Sequence, residues 1–270
     1  MSKVVLITGA SAGIGKATAQ FLAKNGYKVY GAARRINKME DLEVLGVKTH
    51  ALDVTDDASM QNIVARITEE EGKIDVLINN AGFGSYGAIE DVSMSDAKYQ
   101  LEVNVFGAMR MTQLILPYMR KNHYGKIVNI SSIGGKVAFP LGGWYHASKF
   151  ALEALSDSLR NEVKQFGIDV IVIEPGGIKS EWSGIAAESM MRVSGKTAYK
   201  DLVNKFSNIF EESGDKMPEP IVIAKLIKEA IESGNPQTRY STGYMAKQVL
   251  LGRKFLSDKG MDKMIQKRFK

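Results

Sequence analysis

Val4-Val5-Leu6-Ile7-Thr8-Gly9-Ala10-Ser11-Ala12-Gly13-Ile14-Gly15 is the stretch on which the fold turns. Lys3 to Thr8 is a short apolar run that reads as a buried strand, and it stops at a glycine. The residues that follow put Ile14, Ala17 and Phe21 at helical spacing, so the glycines lie in a strand-to-helix turn. In that context they have a chemical use. Bare backbone lets N–H groups approach a diphosphate closely, and the helix start adds favourable partial positive charge. The spacing is Gly-x-x-x-Gly-x-Gly rather than the commoner Gly-x-Gly-x-x-Gly, and a plain tight turn is the competing reading.

Working outward, further short apolar runs recur at 28–32, 48–52, 75–78, 126–130, 169–173 and near Arg239-Tyr240-Ser241, with helical patterns between them. Strands alternating with helices at this rhythm predict an α/β chain: one Rossmann-type domain over 1–270, with a doubly wound, mostly seven-stranded parallel sheet and helices on both faces. From Ser180 to Gly214 the pattern loosens, and about 180–215 reads as short helices forming a lid. About 246–270 reads as a basic C-terminal extension.

Composition narrows the function classes. The 270 residues include no cysteine, which excludes disulfides, thiolate metal sites and cysteine nucleophiles. No signal peptide precedes the first strand, and no apolar run approaches the roughly 18 residues of a membrane span, so a cytoplasmic protein is expected. The net charge is +6. From Lys247 to Lys270 eight basic residues face only Asp258 and Asp262, so this tail carries the whole excess. The body is balanced and has no general attraction for nucleic acid.

Polar residues collect at strand ends. The second strand ends at Ala33-Arg34-Arg35, where a dinucleotide fold meets the adenosine ribose. An acid there binds a 2′-hydroxyl, and a cation accepts a 2′-phosphate, so Arg34, with Arg35 as a second candidate, favours NADP over NAD. Solvated loop charges are the bland reading. Asp53 stands where it can meet an adenine amino group, and Asp56 reads as a helix cap. Asn79-Asn80-Ala81-Gly82 ends the fourth strand as a clamp, a cofactor wall or both. Asn104 interrupts an apolar stripe with Leu101, Val105, Ala108 and Met111, and Ser131-Ser132 ends the fifth strand. Tyr145 and Lys149 lie four apart on a helix, on one face. A cation at ~5 Å favours a phenolate by ~3 kcal/mol, about a hundredfold, at an effective dielectric of about 20.

Together these motifs resemble the short-chain dehydrogenase/reductase family over residues 3 to 245. Those that match are the glycine loop from Thr8 to Gly15, Asp53, Asn79 to Gly82, Asn104, Ser132, Tyr145 with Lys149, and Pro175-Gly176. The tail and the basic end of strand two look more loosely like the 17β-hydroxysteroid dehydrogenase branch. The resemblance implies that Tyr145 is the acid or base and that Lys149 lowers its pKa and binds the nicotinamide ribose. It further implies that Ser132 polarises the substrate oxygen and Asn104 supports a water that relays protons to Lys149. The implied cofactor contacts are Gly9, Ser11, Gly13, Ile14, Gly15, Arg34, Asp53, Val54, Asn80, Ala81, Gly82, Tyr145, Lys149, Pro175, Gly176 and Ile178. No metal is implied, and the implied assembly is a homodimer or homotetramer.

Substrate contacts are expected from Ser132, Tyr145, Tyr86 and Trp182, with Phe83, Ser85, Ile133, Gly134, Ile185 and Met190 as further lining. Their apolar, aromatic character suits a hydrophobic ketone or secondary alcohol. In the tail, cations alternate with Leu250, Leu251, Phe255, Leu256, Met264, Ile265 and Phe269. Its roles rank as cover over the substrate mouth, contact with a neighbouring subunit, and contact with an anionic membrane. The leading expectation is an NADP(H)-dependent oxidoreductase of carbonyl and alcohol groups, with NAD(H) as second choice. The alternative is a non-catalytic NAD(P)-binding sensor, which need not keep Ser, Tyr, Lys and Asn all in place.

Overall fold

The computed structural model describes residues 2–268. Its strands are β1 (Val4–Thr8), β2 (Lys28–Ala33), β3 (Lys48–Ala51), β4 (Val76–Asn79), β5 (Gly125–Ile130), β6 (Ile168–Pro175) and β7 (Arg239–Thr242). All pair in parallel, in the order β3-β2-β1-β4-β5-β6-β7. The order reverses between β1 and β4, and a doubly wound sheet opens its ligand crevice at that switch, beyond the carboxyl ends of the strands. The helices are α1 (Gly13–Lys24), α2 (Glu40–Glu43), α3 (Asp57–Glu71), α4 (Met94–Leu101), α5 (Ala108–Lys121), α6 (Gly143–Val163), α7 (Glu181–Ser194), α8 (Lys200–Ser213), α9 (Ile221–Glu232), α10 (Ala246–Phe255) and α11 (Asp258–Arg268).

Alternation along the strands builds two cores. In β1, Val5 and Ile7 face a cluster with Leu22 of α1, Leu42 of α2 and Ile223 and Ile227 of α9. Val4 and Leu6 face the opposite cluster, with Ile63 and Ile67 of α3, Ile115 of α5 and Val163 of α6. Both faces of β1 and β4 are buried, which is why these strands read as continuous apolar runs.

Several expectations shift. The core face of α1 is Gly15, Thr18, Ala19 and Leu22, one residue round from the expected Ala17 and Phe21; Ile14 packs only at its edge. Helical period constrains a face only to within a residue. The segment expected to form short helices, about 180–215, holds two 14-residue helices, α7 and α8. The stripe around Asn104 is not one regular helix, because Glu102–Gly107 forms a π-helical segment between α4 and α5. Asp56 caps α3 as expected, accepting from Ala58 N at 3.0 Å.

The C-terminal extension lies on its own chain. Val249 of α10 and Met261 of α11 pack with Val137, next to Ile133 and Phe139 of the loop that follows β5. Phe255 and Leu251 remain exposed. Phe269 and Lys270, counted in the tail above, lie outside the described residues. Among the described residues no helix is long and apolar enough to cross a membrane.

Candidate active site

The glycine loop is tied to the end of β4. Thr8 Oγ1 accepts from the N–H groups of Asn80 (3.1 Å) and Ala81 (3.0 Å). Asn80 Nδ2 donates to the carbonyls of Thr8 (2.9 Å) and Gly9 (3.1 Å). Gly9 has φ +69°, and a Cβ there would stand 2.8 Å from Ala81 Cα, so no other residue fits. Asn79 makes the second clamp, donating to Thr112 Oγ1 (3.1 Å) and Asn129 Oδ1 (2.9 Å) inside the core.

Beyond the loop is a cleft of ≈ 440 Å³ walled by Ser11, Ala12, Gly13, Lys16 and Lys38 on one side and Ser180 and Glu181 on the other. Bare backbone at a helix start, ringed by Lys16, Arg35 and Lys38, fits a dinucleotide's phosphates. At the end of β2 the two arginines part company. Both are exposed, and Arg34 donates to the Tyr99 hydroxyl at 2.7 Å. Arg35 turns toward the glycine loop, reaching Ser11 Oγ at 3.4 Å and Glu181 at 3.1 Å, and Lys38 joins Glu181 at 2.9 Å. Arg35 and Lys38, rather than Arg34, therefore flank the glycine loop. Asp53 accepts from Thr55 N (2.9 Å) and Oγ1 (2.8 Å), closing a turn that seats Val54 beside Gly107. Gly176 N donates to Thr242 O at 2.9 Å, tying the end of β6 to β7, and Ile178 is buried beside it.

Tyr145 and Lys149 share the buried face of α6. Lys149 Nζ donates to Ile130 O at 2.7 Å and stands 5.9 Å from the Tyr145 ring centre. Ser132 accepts from Gly134 N at 3.0 Å. Burial pushes Tyr145 up to about 12, with the nearby Ser132 hydroxyl opposing. Lys149 is brought down to about 8 by burial, with the Glu153 carboxylate opposing. The expected lowering of Tyr145 by Lys149 is therefore absent in this arrangement. The phenol is covered by Trp182 and Tyr86 (ring centroids 5.3 and 5.8 Å away), and desolvation of the phenolate outweighs a cation that is committed to a carbonyl.

Asn104 is a clamp in this structure. Its Oδ1 accepts from Phe83 N (3.1 Å), and its Nδ2 donates to Phe83 O (3.0 Å) and Ser148 Oγ (3.0 Å). Gln100 holds the same strip, accepting from Ser85 N (2.6 Å) and donating to Phe83 O (2.7 Å). Sequence reasoning missed Gln100, because it lies within an ordinary polar helix and only the chain returning past it reveals its use. It also missed His146, buried beside Tyr145 with Nδ1 3.0 Å from Gly134 O and pushed down to about 4 by burial.

The side chains packed over Tyr145 form an aromatic cluster. Tyr86 lies against Trp182 (5.6 Å), Phe206 (6.2 Å) and Phe210 (6.4 Å), with Met190 buried beneath. Phe206 and Phe210 come from α8, which the sequence reading left out of the pocket. Ile185 is exposed and does not line it: the core face of α7 runs through Ala186, Ser189 and Met190. Phe83 packs on Tyr99 instead, at 5.5 Å.

A charged cluster braces the loop after Ser132. Lys136 reaches Glu153 at 2.8 Å, and Arg239 reaches Glu153 at 2.9 Å and Glu174 at 3.4 Å. Burial, then the neighbouring Glu153 carboxylate, raises Glu174 to about 7. A carboxyl raised on folding binds its proton better in the native state, so this contribution to stability is full below about pH 4.5 and is lost as pH rises through about 7. Glu174→Gln is expected to remove that decline, read as a urea midpoint that varies less between pH 4.5 and 7.5 than the parent's. Among the described residues no group of three or more His, Asp or Glu is placed to hold a metal.

The sequence profile described as short chain dehydrogenase matches residues 3–189. The chain is 37% identical over 242 residues to a 3-ketodihydrosphingosine reductase of Bacteroides thetaiotaomicron, covering 89% of this chain and 88% of the relative. It is 33% identical over 288 residues to an NADPH-dependent 3-dehydrocapnine reductase of Ornithobacterium rhinotracheale, covering 99% and 98%. The crystal structure of a short-chain dehydrogenase from Streptomyces avermitilis superposes with a TM-score of 0.79 at 31% identity, covering 98% of this chain and 96% of that one.

Proposed function

The chain belongs to the short-chain dehydrogenase family, and from that premise we propose that it is an NADP(H)-dependent oxidoreductase that interconverts a hydrophobic ketone or aldehyde and its alcohol. The coenzyme, when bound, supplies or takes up the hydride, and the chain's own residues bind, orient and move the proton. In reduction the Tyr145 hydroxyl donates its proton to the carbonyl oxygen, which Ser132 holds by a hydrogen bond. In oxidation the same phenol takes the alcohol proton back. Lys149, buried beneath on the same helix, keeps a positive charge below the developing phenolate. Asn104 fixes the floor of the site and supports the path by which Lys149 and solvent restore the proton. Tyr145 and Lys149 on the buried face of one helix, with Ser132 beside the phenol, are the observation that carries this reading.

The adenosine end supports NADP over NAD, because Arg35 and Lys38 stand beside Ser11 with Arg34 flanking them. The aromatic pocket supports a hydrophobic substrate, and the two relatives are named as reductases of a 3-keto and a 3-dehydro compound. We assign the enzyme to the cytoplasm, as a homodimer or homotetramer. Phe106, Phe150 and Leu155, exposed on one chain, are available for burial between subunits. The test is NADPH oxidation screened across steroids, retinoids, sugars and aliphatic ketones. Turnover confined to apolar ketones upholds the reading; no turnover with any carbonyl, alongside tight nucleotide binding, favours the sensor.

The packing of α10 and α11 on Ile133, Val137 and Phe139 gives the tail a bracing role. Phe139 also belongs to the aromatic pocket. Removal of the chain after Arg253 is expected to raise substrate KM about tenfold while the coenzyme KM stays within about twofold, the size of losing part of one packed apolar contact. Unchanged substrate kinetics would place the tail outside the catalytic unit.

A further inference from the structure

The first turn of α7 touches both halves of the site at once. Glu181 reaches back to the end of β2, where its carboxylate accepts from Arg35 (3.1 Å) and Lys38 (2.9 Å). Trp182, the next residue, lies on Tyr145, with ring centroids 5.3 Å apart. Ser180, before them, caps the helix and rests on the glycine loop, its Cβ 3.3 Å from where a Cβ on Gly13 would be. Three consecutive residues thus stand against the phosphate loop, the two cations beside it and the catalytic phenol.

This turn is held differently from the rest of its helix. Farther along, Ser189 Oγ accepts from Tyr86 N (3.2 Å) and donates to Tyr86 O (3.1 Å). Ser194 Oγ accepts from Ala88 N (2.9 Å) and donates to Asp91 (2.6 Å). Those side chains are buried, whereas Glu181, Arg35 and Lys38 are each 45–46% exposed. Exposed ion pairs contribute only ~0.2–1 kcal/mol each and exchange partners readily. Gly184, with nothing within 4 Å of a would-be Cβ, weakens the helix beside them by ~1 kcal/mol relative to alanine. The polar edge of the first turn is thus the weakly held part of α7, with Trp182 beside it resting on Tyr86, Tyr145 and Phe210.

We propose that Glu181 competes with the coenzyme's 2′-phosphate for Arg35 and Lys38, and that its displacement releases the first turn of α7 and lifts Trp182 from Tyr145. The proposal rests on the dinucleotide reading of the cleft given above. Its consequence is selectivity. A phosphate with close to two negative charges and three acceptor oxygens displaces a carboxylate from two cations; a 2′-hydroxyl does not. A nucleotide bearing the phosphate therefore binds and opens the substrate seat, while one lacking it leaves the tryptophan in place. Glu181 is thus a specificity-determining residue.

The probes are 2′,5′-ADP and 5′-AMP, titrated calorimetrically into the full chain. The emission of Trp182 is followed in a Trp144→Phe background, since the chain has two tryptophans. Addition of 2′,5′-ADP, but not of 5′-AMP, is expected to increase acrylamide quenching of Trp182. Glu181→Gln should tighten 2′,5′-ADP about threefold to tenfold, the scale of two exposed ion pairs removed from the competition. It should leave 5′-AMP unchanged and raise quenching before nucleotide is added. Trp182→Phe, titrated alongside, should keep the affinities and lose the optical response, which guards against a misfolded Trp144→Phe protein. Equal 2′,5′-ADP affinity in parent and Glu181→Gln overturns the competition. A changed affinity with unchanged quenching overturns the link to Tyr145. Failure of both nucleotides to bind the parent removes the coenzyme reading itself, and the proposal with it.

Discussion

Replacing Tyr145 by phenylalanine is expected to lower kcat for carbonyl reduction by at least about a thousandfold while NADPH binding stays within about twofold. The substitution removes one oxygen from a buried ring and keeps the packing against Trp182 and Tyr86. No nearby group replaces the lost proton donor. Ser132 is not an acid at neutral pH, Lys149 is committed to Ile130 O, and His146 at about 4 is a neutral imidazole engaged with Gly134. General acid catalysis contributes about 10²–10⁴-fold, and this phenol also orients the substrate oxygen with Ser132, so the upper part of that range applies. Stopped-flow reduction and a fluorescence titration with NADPH separate the two effects. Residual turnover above a few per cent would remove Tyr145 from the role of acid.

Arg35→Asp is expected to raise the KM for NADPH by about tenfold to a hundredfold and to leave NADH nearly unaffected or improved. Loss of one charge-assisted bond to a phosphate costs ~1.5–3 kcal/mol, and the new carboxylate adds repulsion. Arg34→Asp, at a residue tied to Tyr99 and not to the glycine loop, is expected to change the ratio by less. The measurement is kcat/KM for both coenzymes with one ketone. A larger switch from Arg34 than from Arg35 would return the phosphate seat to the position expected from sequence.

That pair of arginines illustrates what was legible in the chain. The basic end of β2 was readable, because a strand end beside a glycine loop defines a place. Which arginine faces the loop was not, since neighbouring residues at the end of a strand point in different directions and local contacts decide. Here Ser11 and Glu181 draw Arg35 toward the loop, while Tyr99 holds Arg34. The face of α1 shifted for the same reason, because periodicity sets a stripe and the neighbouring backbone sets its rotation. Ile185 was misplaced because the lid pattern looked irregular when it is two regular helices, whose buried seam is defined by contacts with Tyr86, Ala88 and Asp91.

The sequence by itself determined the sheet, its crevice and the family. Glycines, asparagines and the Tyr145–Lys149 pair act over a turn or a strand end, so their spacing already contains their geometry. The tertiary structure alone decided what meets across the crevice: Glu181 on Arg35 and Lys38, Trp182 on Tyr145, and the tail on the loop after Ser132. These contacts join residues far apart in the chain, through packing that no local spacing encodes. Packing also opposes the expected lowering of the Tyr145 pKa. A cation four residues away is visible in sequence, and the burial that outweighs it is not.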